Sequence, residues 1–266
     1  MFREITIGQY YPAESTLHSL DPRVKLFGTL IYIITLFAFE DVATLAAIVI
    51  VLVGVIKLSQ VPFSFMVRGL KGILMLLIIA GLFNLFLTPG ITLWSFWIFK
   101  ITDVGLKNAV VMTLRMTLLI IGTSIMTLTT TPNQLTDGLE KSLGFLKKVG
   151  VPVHEIAMMM SIALRFIPIL IEETDKIMKA QMARGADFET GGLIKKAKAM
   201  VPLLVPLFVS AFRRANDLAL AMEARCYNGG EGRTKMKPLK YSSLDQRAYI
   251  CIAIYVIVFY SIKFVV

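Results

Sequence analysis

The chain has 266 residues, of which 56% are hydrophobic and 17% charged, and its mean hydropathy is +0.72. Soluble domains carry about 25% charged residues because their surfaces must hold water, so the composition excludes a water-soluble globular domain and indicates a membrane protein. The length allows one polytopic membrane domain and roughly a hundred further residues, too few for a fused ATPase. The formal charge of +10 is better explained by cytoplasmic Lys- and Arg-rich loops than by nucleic-acid binding.

Five apolar segments predict membrane spans. They are 26–39, 42–56, 72–99, 104–131 and 248–262. The first two are short for a hydrocarbon core of about 30 Å, but the acidic pair Glu40-Asp41 between them predicts a hairpin of two short helices with its turn in water. The segment 57–71 contains bases and no acid, so the positive-inside rule places it and the N-terminus in the cytoplasm.

Between 132 and 247 short apolar pieces alternate with dense charge, which predicts long amphipathic helices lying partly in the membrane and partly in water. Pro202 and Pro206 disrupt the hydrogen-bond ladder of the uncharged stretch 199–212, so a kinked helix at the inner face is favoured over a span. The predicted domains are therefore 1–131 with four spans, 132–247 as a coupling-helix domain, and 248–266 as the last span.

This middle region repeats itself weakly. A shift that places Arg184 on Arg225 also places Ala183 on Ala224 and Ala180 on Ala221. Each arginine follows a proline, Pro168 or Pro206, at a distance of roughly 24 to 29 Å along a helix with a rise of about 1.5 Å per residue. The sequence thus predicts two similar arms with similar ends.

Two interpretations of these ends are open. A single arginine before Gly185 would be explained by helix capping, because a cation and a glycine both suit a helix C-terminus. Two copies favour a paired contact with a two-lobed partner, since the guanidinium holds a carboxylate bidentately and stays charged when partly desolvated. The candidate contact residues are Ala183, Arg184, Gly185, Ala224, Arg225 and Cys226, and the candidate hinges are Pro168, Pro202 and Pro206.

Catalytic motifs are missing from the sequence. There is no phosphate-binding GxxxxGK[ST] loop, and His154-Glu155 is followed by Met158 where a zinc protease would carry its second histidine. We expect no enzyme activity, cofactor or metal. Arg115, inside the run 104–131, has two interpretations. We favour a structural role, in which it snorkels or pairs with an acid such as Asp103. Alternatively, it is the substrate or ion site of a stand-alone secondary transporter or channel.

Methionines recur along the arms and have two explanations. Their positions are 158–160, 178, 182, 200 and 222. Core filling is the commoner role, whereas a surface that re-packs against several partners is the functional one.

Several short motifs, in this order, resemble one known family. They are Leu20-Asp21-Pro22-Arg23 with Lys25, Thr131-Pro132-Asn133-Gln134-Leu135, Leu164-Arg165-Phe166-Ile167-Pro168, and the two Ala-Arg ends. Together they resemble the transmembrane T component of energy-coupling factor (ECF) transporters, the vitamin and metal importers of prokaryotes. One departure is Cys226, where the resemblance leads us to expect glycine, and we therefore expect the second arm to end differently.

The resemblance implies an all-α polytopic protein of the prokaryotic plasma membrane, with about five transmembrane helices and long cytoplasmic coupling helices. It implies that Arg184 and Arg225 each lie in a groove of one of two ATP-binding-cassette ATPases, identical or different, opposite an acidic residue. A separate small membrane protein, the S component, would bind the substrate and rest on the arms, with membrane lipid as the remaining partner. The vitamin or metal carried is not predicted.

Overall fold

The computed structural model describes residues 10–39, 41–96, 99–188, 192–230 and 236–265. The helices are α1 (Thr16–Ser19), α2 (Pro22–Ala38), α3 (Val42–Ser59), α4 (Phe63–Lys71), α5 (Leu74–Leu87), α6 (Asp103–Thr129), α7 (Pro132–Ser142), α8 (Val153–Ala183), α9 (Leu193–Ala224) and α10 (Ser243–Val265). A 3-10 helix (Leu143–Val149) precedes α8, and β1 (Thr92–Phe96) pairs antiparallel with β2 (Phe99–Thr102). The predicted all-α class is confirmed, with this one hairpin added.

Two of the quoted motifs are helix start signals. The Asp21 carboxylate accepts a hydrogen bond from the Arg23 backbone N–H, and Pro22 occupies the first helical position of α2. At α7, the Thr131 hydroxyl accepts from the Gln134 N–H while the Gln134 side chain accepts from the Thr131 N–H. This reciprocal pair is a capping box, so the Thr131-Pro132-Asn133-Gln134 motif sets the point where α7 begins.

The predicted single span over 72–99 is wrong. Helix α5 ends at Leu87, and the β1–β2 hairpin follows. The residue before a proline is pushed out of the helical region, and Thr88, which precedes Pro89, has an extended backbone with φ −76° and ψ 122°. The residues after Gly90 are rich in β-branched and aromatic types, which favour strands over helix.

The number of spans is close to the prediction without matching it. In the part of the chain that the structure describes, α6, α8 and α10 are each long and apolar enough to cross a membrane. A fourth span is added if α3 and α4, bent by 119° with respect to each other, count as one. Helices α2 and α5 are shorter, whereas α8 qualifies although its sequence indicated a helix only partly in the membrane. The predicted count of about five is therefore approximate.

The chain divides into two compact units. The core unit contains the described residues of Gly8–Gly138 and Leu239–Val266, and the arm unit contains those of Leu139–Pro238. In the core unit, α6 is the central helix, with α2, α3, α4 and α5 packed around it and α10 packed on α2. Fully buried side chains there include Leu36, Ile48, Met66 and Phe259.

Candidate functional site

The first candidate end closes α8 with a compact turn. Arg184 is the C-cap, and Gly185 takes the left-handed conformation with φ +89°. The Gly185 N–H donates to the Met182 carbonyl at 2.9 Å, and the Ala186 N–H donates to the Gln181 carbonyl at 3.0 Å. These two bonds define a Schellman motif, which satisfies carbonyls that the helix itself leaves without donors.

The second candidate end closes α9 in the same way, so the expectation of a different ending at Cys226 is wrong. Arg225 is the C-cap, and Cys226 takes the left-handed conformation with φ +55°. The Cys226 N–H donates to the Glu223 carbonyl at 2.9 Å, and the Tyr227 N–H donates to the Met222 carbonyl at 3.0 Å. A non-glycine residue adopts this conformation at a cost of about 1 to 2 kcal/mol, which the rest of the turn must offset.

Both arginines are exposed, as are the small residues beside them, Ala183, Gly185, Ala224 and Cys226. The helix-end carbonyls of Gln181, Met182, Met222 and Glu223 are bonded by backbone N–H groups. Backbone N–H groups therefore satisfy these carbonyls, so the arginine side chains are not needed as caps. The neighbouring side chains are small, and each guanidinium is exposed.

Helices α8 and α9 pack as an antiparallel pair. The Arg214 Nη2 donates to Glu173 Oε2 at 3.2 Å, and Gln181 Nε2 donates over 3.5 Å to the Pro202 carbonyl. The contact residue on α8 rises from 173 to 181 while its partner on α9 falls from 214 to 202, so the two helices run in opposite directions. Arg184 and Arg225 consequently lie at opposite ends of the pair, roughly 35 to 40 Å apart along its axis at about 1.5 Å per residue.

The three candidate hinges lie inside continuous helices. Pro168 is within α8, and Pro202 and Pro206 are within α9. Pro206 is four residues after Pro202 and has no N–H, so the Pro202 carbonyl has no helical donor. The Gln181 amide that contacts this carbonyl comes from the other helix. The two prolines thus create a polar contact point for α8, and their role as hinges stays a prediction.

The arm unit buries little of its own apolar surface. Within its described part, the buried apolar side chains are Val153, Ala157 and Leu203, each 7 to 9% exposed. Of the seven methionines at positions 158–160, 178, 182, 200 and 222, four are exposed and three are partly buried, so both interpretations of them stay open. The exposed apolar residues on α9 include Val205, Phe208, Phe212 and Leu220.

Arg115 has a structural contact. It is 9% exposed, and its Nη2 donates to the Phe39 carbonyl at 3.1 Å. Phe39 is the C-cap of α2, so the guanidinium reaches the carbonyl end of another helix, where a cation is favoured. A pair with Asp103 is excluded because Asp103 begins the same helix, roughly 18 Å away at about 1.5 Å per residue.

A polar cluster in the core unit, not expected from the sequence, joins the ends of four helices, α1, α2, α6 and α10. The Lys25 ammonium donates to the Thr129 carbonyl at 2.8 Å and to the His18 carbonyl at 3.2 Å. The Asp245 carboxylate accepts from the Asp21 N–H at 2.8 Å. The sequence did contain a signal for such a cluster, because the Asp-Pro-Arg motif and Lys25 place charges directly at the start of an apolar run. The sequence does not say, however, which distant groups they bind.

These features define a class: a multi-pass helical membrane protein with a self-packed core unit and a pair of long helices whose arginine ends are exposed. Comparison with known proteins identifies the family. The family model described as cobalt transport protein, CbiQ, matches residues 13–236.

Curated relatives match nearly the whole chain. The energy-coupling factor transporter transmembrane protein EcfT of Clostridium kluyveri is 54% identical over 255 residues, covering 94% of each chain. The proteins of the same name from Thermosediminibacter oceani and Bacillus subtilis are 51% and 47% identical, covering 93% and 96% of this chain and 94% and 96% of their own.

The chain therefore belongs to the family of ECF transporter transmembrane proteins, as the resemblance of its motifs indicated. It is a membrane component of a transport system. The relatives are named as transporter membrane proteins, which fits a role without catalysis and an assembly with other subunits.

Proposed function

We propose that the chain is the energy-coupling scaffold of an ECF-type ABC importer for a vitamin or another micronutrient. It transmits the ATP-driven movement of two cytoplasmic ATPase subunits to a separate substrate-binding S component in the membrane. The observation that carries the proposal is the pair of matched Schellman ends, which present Arg184 and Arg225 at opposite ends of an antiparallel helix pair.

The geometry of the two ends supports a partner with two equivalent lobes. The turns share the same hydrogen bonds and the same exposed arginine, so each suits the same kind of acidic groove. Their separation of roughly 35 to 40 Å, from the helical rise, lets two subunits dock side by side. An arginine that pairs with a buried carboxylate in such a groove stabilises the interface by enough that its truncation costs about 2 to 5 kcal/mol.

The exposed apolar surface of the arm unit supports the second contact, with the S component. Methionine side chains are unbranched and polarisable, so they can re-pack against partners of different shape. Met159, Met160, Met182 and Met200 are all exposed. In the proposed complex α8 and α9 lie along the membrane face, so α8 is not a span there, and both arginine ends share the cytoplasmic side with the N-terminus, as the base-rich segment 57–71 indicates.

The test uses the complete transporter, expressed with its ATPases. Arg184→Ala and Arg225→Ala should each weaken ATPase binding by at least about 30-fold, which corresponds to 2 kcal/mol, and the double variant should abolish ATP-dependent uptake. Membrane insertion should be unchanged. Arg213→Ala, which removes an exposed arginine from the side of α9, is the matched control and should assemble normally. Normal assembly and uptake by the double variant would refute the proposal.

The alternative hypothesis, a stand-alone transporter or channel, predicts a different result. If it holds, the purified chain moves solute across vesicle membranes without any ATPase. The Arg115 contact with the Phe39 carbonyl gives this alternative no support. Uptake by the chain alone that is lost in Arg115→Gln would establish it.

A further inference from the structure

The core unit contains a largely apolar cavity of about 480 Å³ between α2, α3, α6 and α10. We propose that this cavity binds one acyl chain of an anionic phospholipid, with the lipid phosphate at Arg247. This inference concerns a ligand of the scaffold itself and does not depend on the coupling role of the arms.

The cavity runs along the helices from one end of the core unit. Lys25 and Arg247 line it near the first turns of α2 and α10, and Thr129 lines it at the last turn of α6. Tyr32 and Tyr255 line it farther along the same helices. Seven residues of α2 separate Lys25 from Tyr32, and eight residues of α10 separate Arg247 from Tyr255, which corresponds to about 10 to 12 Å of helix. One leaflet is half of a hydrocarbon core of about 30 Å, so the cavity spans most of a leaflet.

The far end of the cavity is apolar although two tyrosines lie there. The Tyr32 hydroxyl donates to the Leu118 carbonyl at 2.7 Å, and the Tyr255 hydroxyl bonds the Thr35 hydroxyl at 2.7 Å. Both hydroxyls are thus hydrogen-bonded within the protein, so a ligand would contact only the apolar rings of the two tyrosines. The aliphatic lining is completed by residues such as Val51, Val55 and Ile125.

The near end is cationic. Arg247 is exposed, and the Lys25 ammonium uses two of its three donors on the Thr129 and His18 carbonyls in the described contacts. The neighbouring Asp245 carboxylate accepts from the Asp21 and Ser242 backbone N–H groups, so its oxygens are turned to the protein. A guanidinium binds phosphate oxygens bidentately, which makes Arg247 the residue for the head group.

A lipid fits these walls better than a peptide or a polar solute. A polar ligand would bury hydrogen-bonding groups against side chains that offer them no partner, at a cost of roughly 1 to 3 kcal/mol for each group. An acyl chain carries none, and it fills space that would otherwise lack van der Waals contacts. The phosphate remains at the end where Arg247 and Lys25 lie.

The test measures lipid retained by the full-length chain. The chain is purified from nanodiscs of palmitoyloleoyl-phosphatidylglycerol and palmitoyloleoyl-phosphatidylcholine in equal amounts, and bound lipid is counted by native mass spectrometry. The wild-type chain should retain one phosphatidylglycerol. Arg247→Gln should lower the preference for phosphatidylglycerol over phosphatidylcholine about fivefold, since one interfacial arginine contributes about 1 kcal/mol toward an anionic lipid. Lys240→Gln, at an exposed lysine outside the cavity lining, should leave the preference unchanged.

A second pair of variants tests the acyl-chain part. Cys251 and Ala248 line the cavity, so Cys251→Trp, or Ala248→Leu if that chain is less stable, should abolish retention of both lipids. Ile254→Trp adds the same ring on the same helix at a position that is 54% exposed and does not line the cavity, and it should retain lipid normally.

The Cys251 thiol gives a readout without any substitution. Its alkylation by maleimide, followed on its own peptide, should slow in phosphatidylglycerol nanodiscs and not on addition of inorganic phosphate to phosphatidylcholine nanodiscs. Equal lipid retention by the wild-type chain and Cys251→Trp, protection by free phosphate, or occupation of the cavity by a helix of a partner chain would each overturn the proposal.

Discussion

The core unit and the arm unit differ in how far each covers its own apolar side chains. In the core unit, Leu36, Ile48 and Phe259 are at most 1% exposed, and the buried Lys25 and Asp245 bond partners on distant helices. In the arm unit, α8 and α9 touch through polar contacts such as Arg214 to Glu173, while Phe208 and Val205 are more than half exposed.

This difference shows where the chain depends on other molecules. Helix association within a membrane relies on close packing and interhelical hydrogen bonds, because lipid is as apolar as the side chains. The core unit has both, so its stability comes from its own contacts. Helix α9 is not among the candidate spans, and outside the bilayer an exposed apolar surface such as that of Phe208 and Phe212 marks an interaction site. We therefore expect core-unit substitutions to lower the stability of the chain and arm-unit substitutions to change its assembly.

The largest expected contrast is between two apolar truncations. Ile48→Ala should lower the free energy of unfolding by roughly 2 to 5 kcal/mol, because it leaves a cavity at a fully buried position. Phe208→Ala removes a side chain that is 61% exposed and should change the stability of the isolated chain by less than about 0.5 kcal/mol. Thermal unfolding of each chain in detergent measures both effects. Equal destabilisation by the two would contradict the division into self-sufficient and partner-dependent units.

A polar substitution in the core unit should have the next largest effect. Asp245 is 2% exposed, and its carboxylate accepts from the Asp21 N–H and from the N–H and hydroxyl of Ser242. Asp245→Ala leaves the buried Asp21 N–H without an acceptor, so we expect a loss of about 1.5 to 3 kcal/mol in the free energy of unfolding. Asp217→Ala, at an exposed position on α9, is the control and should be near neutral. A stable Asp245→Ala chain would show that α10 is held to α2 by apolar packing alone.

The sequence predicted those parts of the fold that depend on local patterns. The runs 104–131 and 248–262 became α6 and α10 because a long apolar stretch without a breaker has one stable form in lipid. The run 72–99 was misjudged, since hydropathy counts apolar residues and does not register the strand preference of the residues after Pro89. The likeness of the two arm ends was predicted from their Ala-Arg pairs.

The pairings between distant residues could not be predicted. Lys25 and Thr129, Arg115 and Phe39, and Asp21 and Asp245 are brought together by helix packing, and a single sequence carries no pattern that couples them. The turn at Cys226 was missed for a different reason. A preference for glycine at that position is statistical, and two backbone hydrogen bonds hold the cysteine in the left-handed conformation.

The two arm ends should respond to substitution without affecting the core unit. Cys226→Gly relieves a left-handed conformation that costs about 1 kcal/mol or more, so exchange of the backbone amides at positions 226 and 227 should slow roughly fivefold. Cys226→Val should speed it, because a β-branched residue is poorly tolerated there. Gly185→Ala should do the same to the end of α8. The melting temperature of the isolated chain should stay the same in all three, and a large shift would mean that the ends support more than their own turns.

The smallest expected effect is a pH dependence confined to the core unit. The His18 Nε2 donates to the Tyr11 carbonyl at 2.9 Å, and Nδ1 bonds the Ser15 hydroxyl at 2.7 Å. Burial of the ring, with nearby Lys25 adding to it, lowers the pKa of His18 below its usual 6.5. Below that pH the unfolded chain binds a proton more readily than the folded chain, so stability should be constant above about pH 6.5 and should fall as the pH drops. Melting temperatures between pH 7.5 and 5 measure this slope, which His18→Gln should flatten. A slope that stays the same in His18→Gln would contradict this assignment.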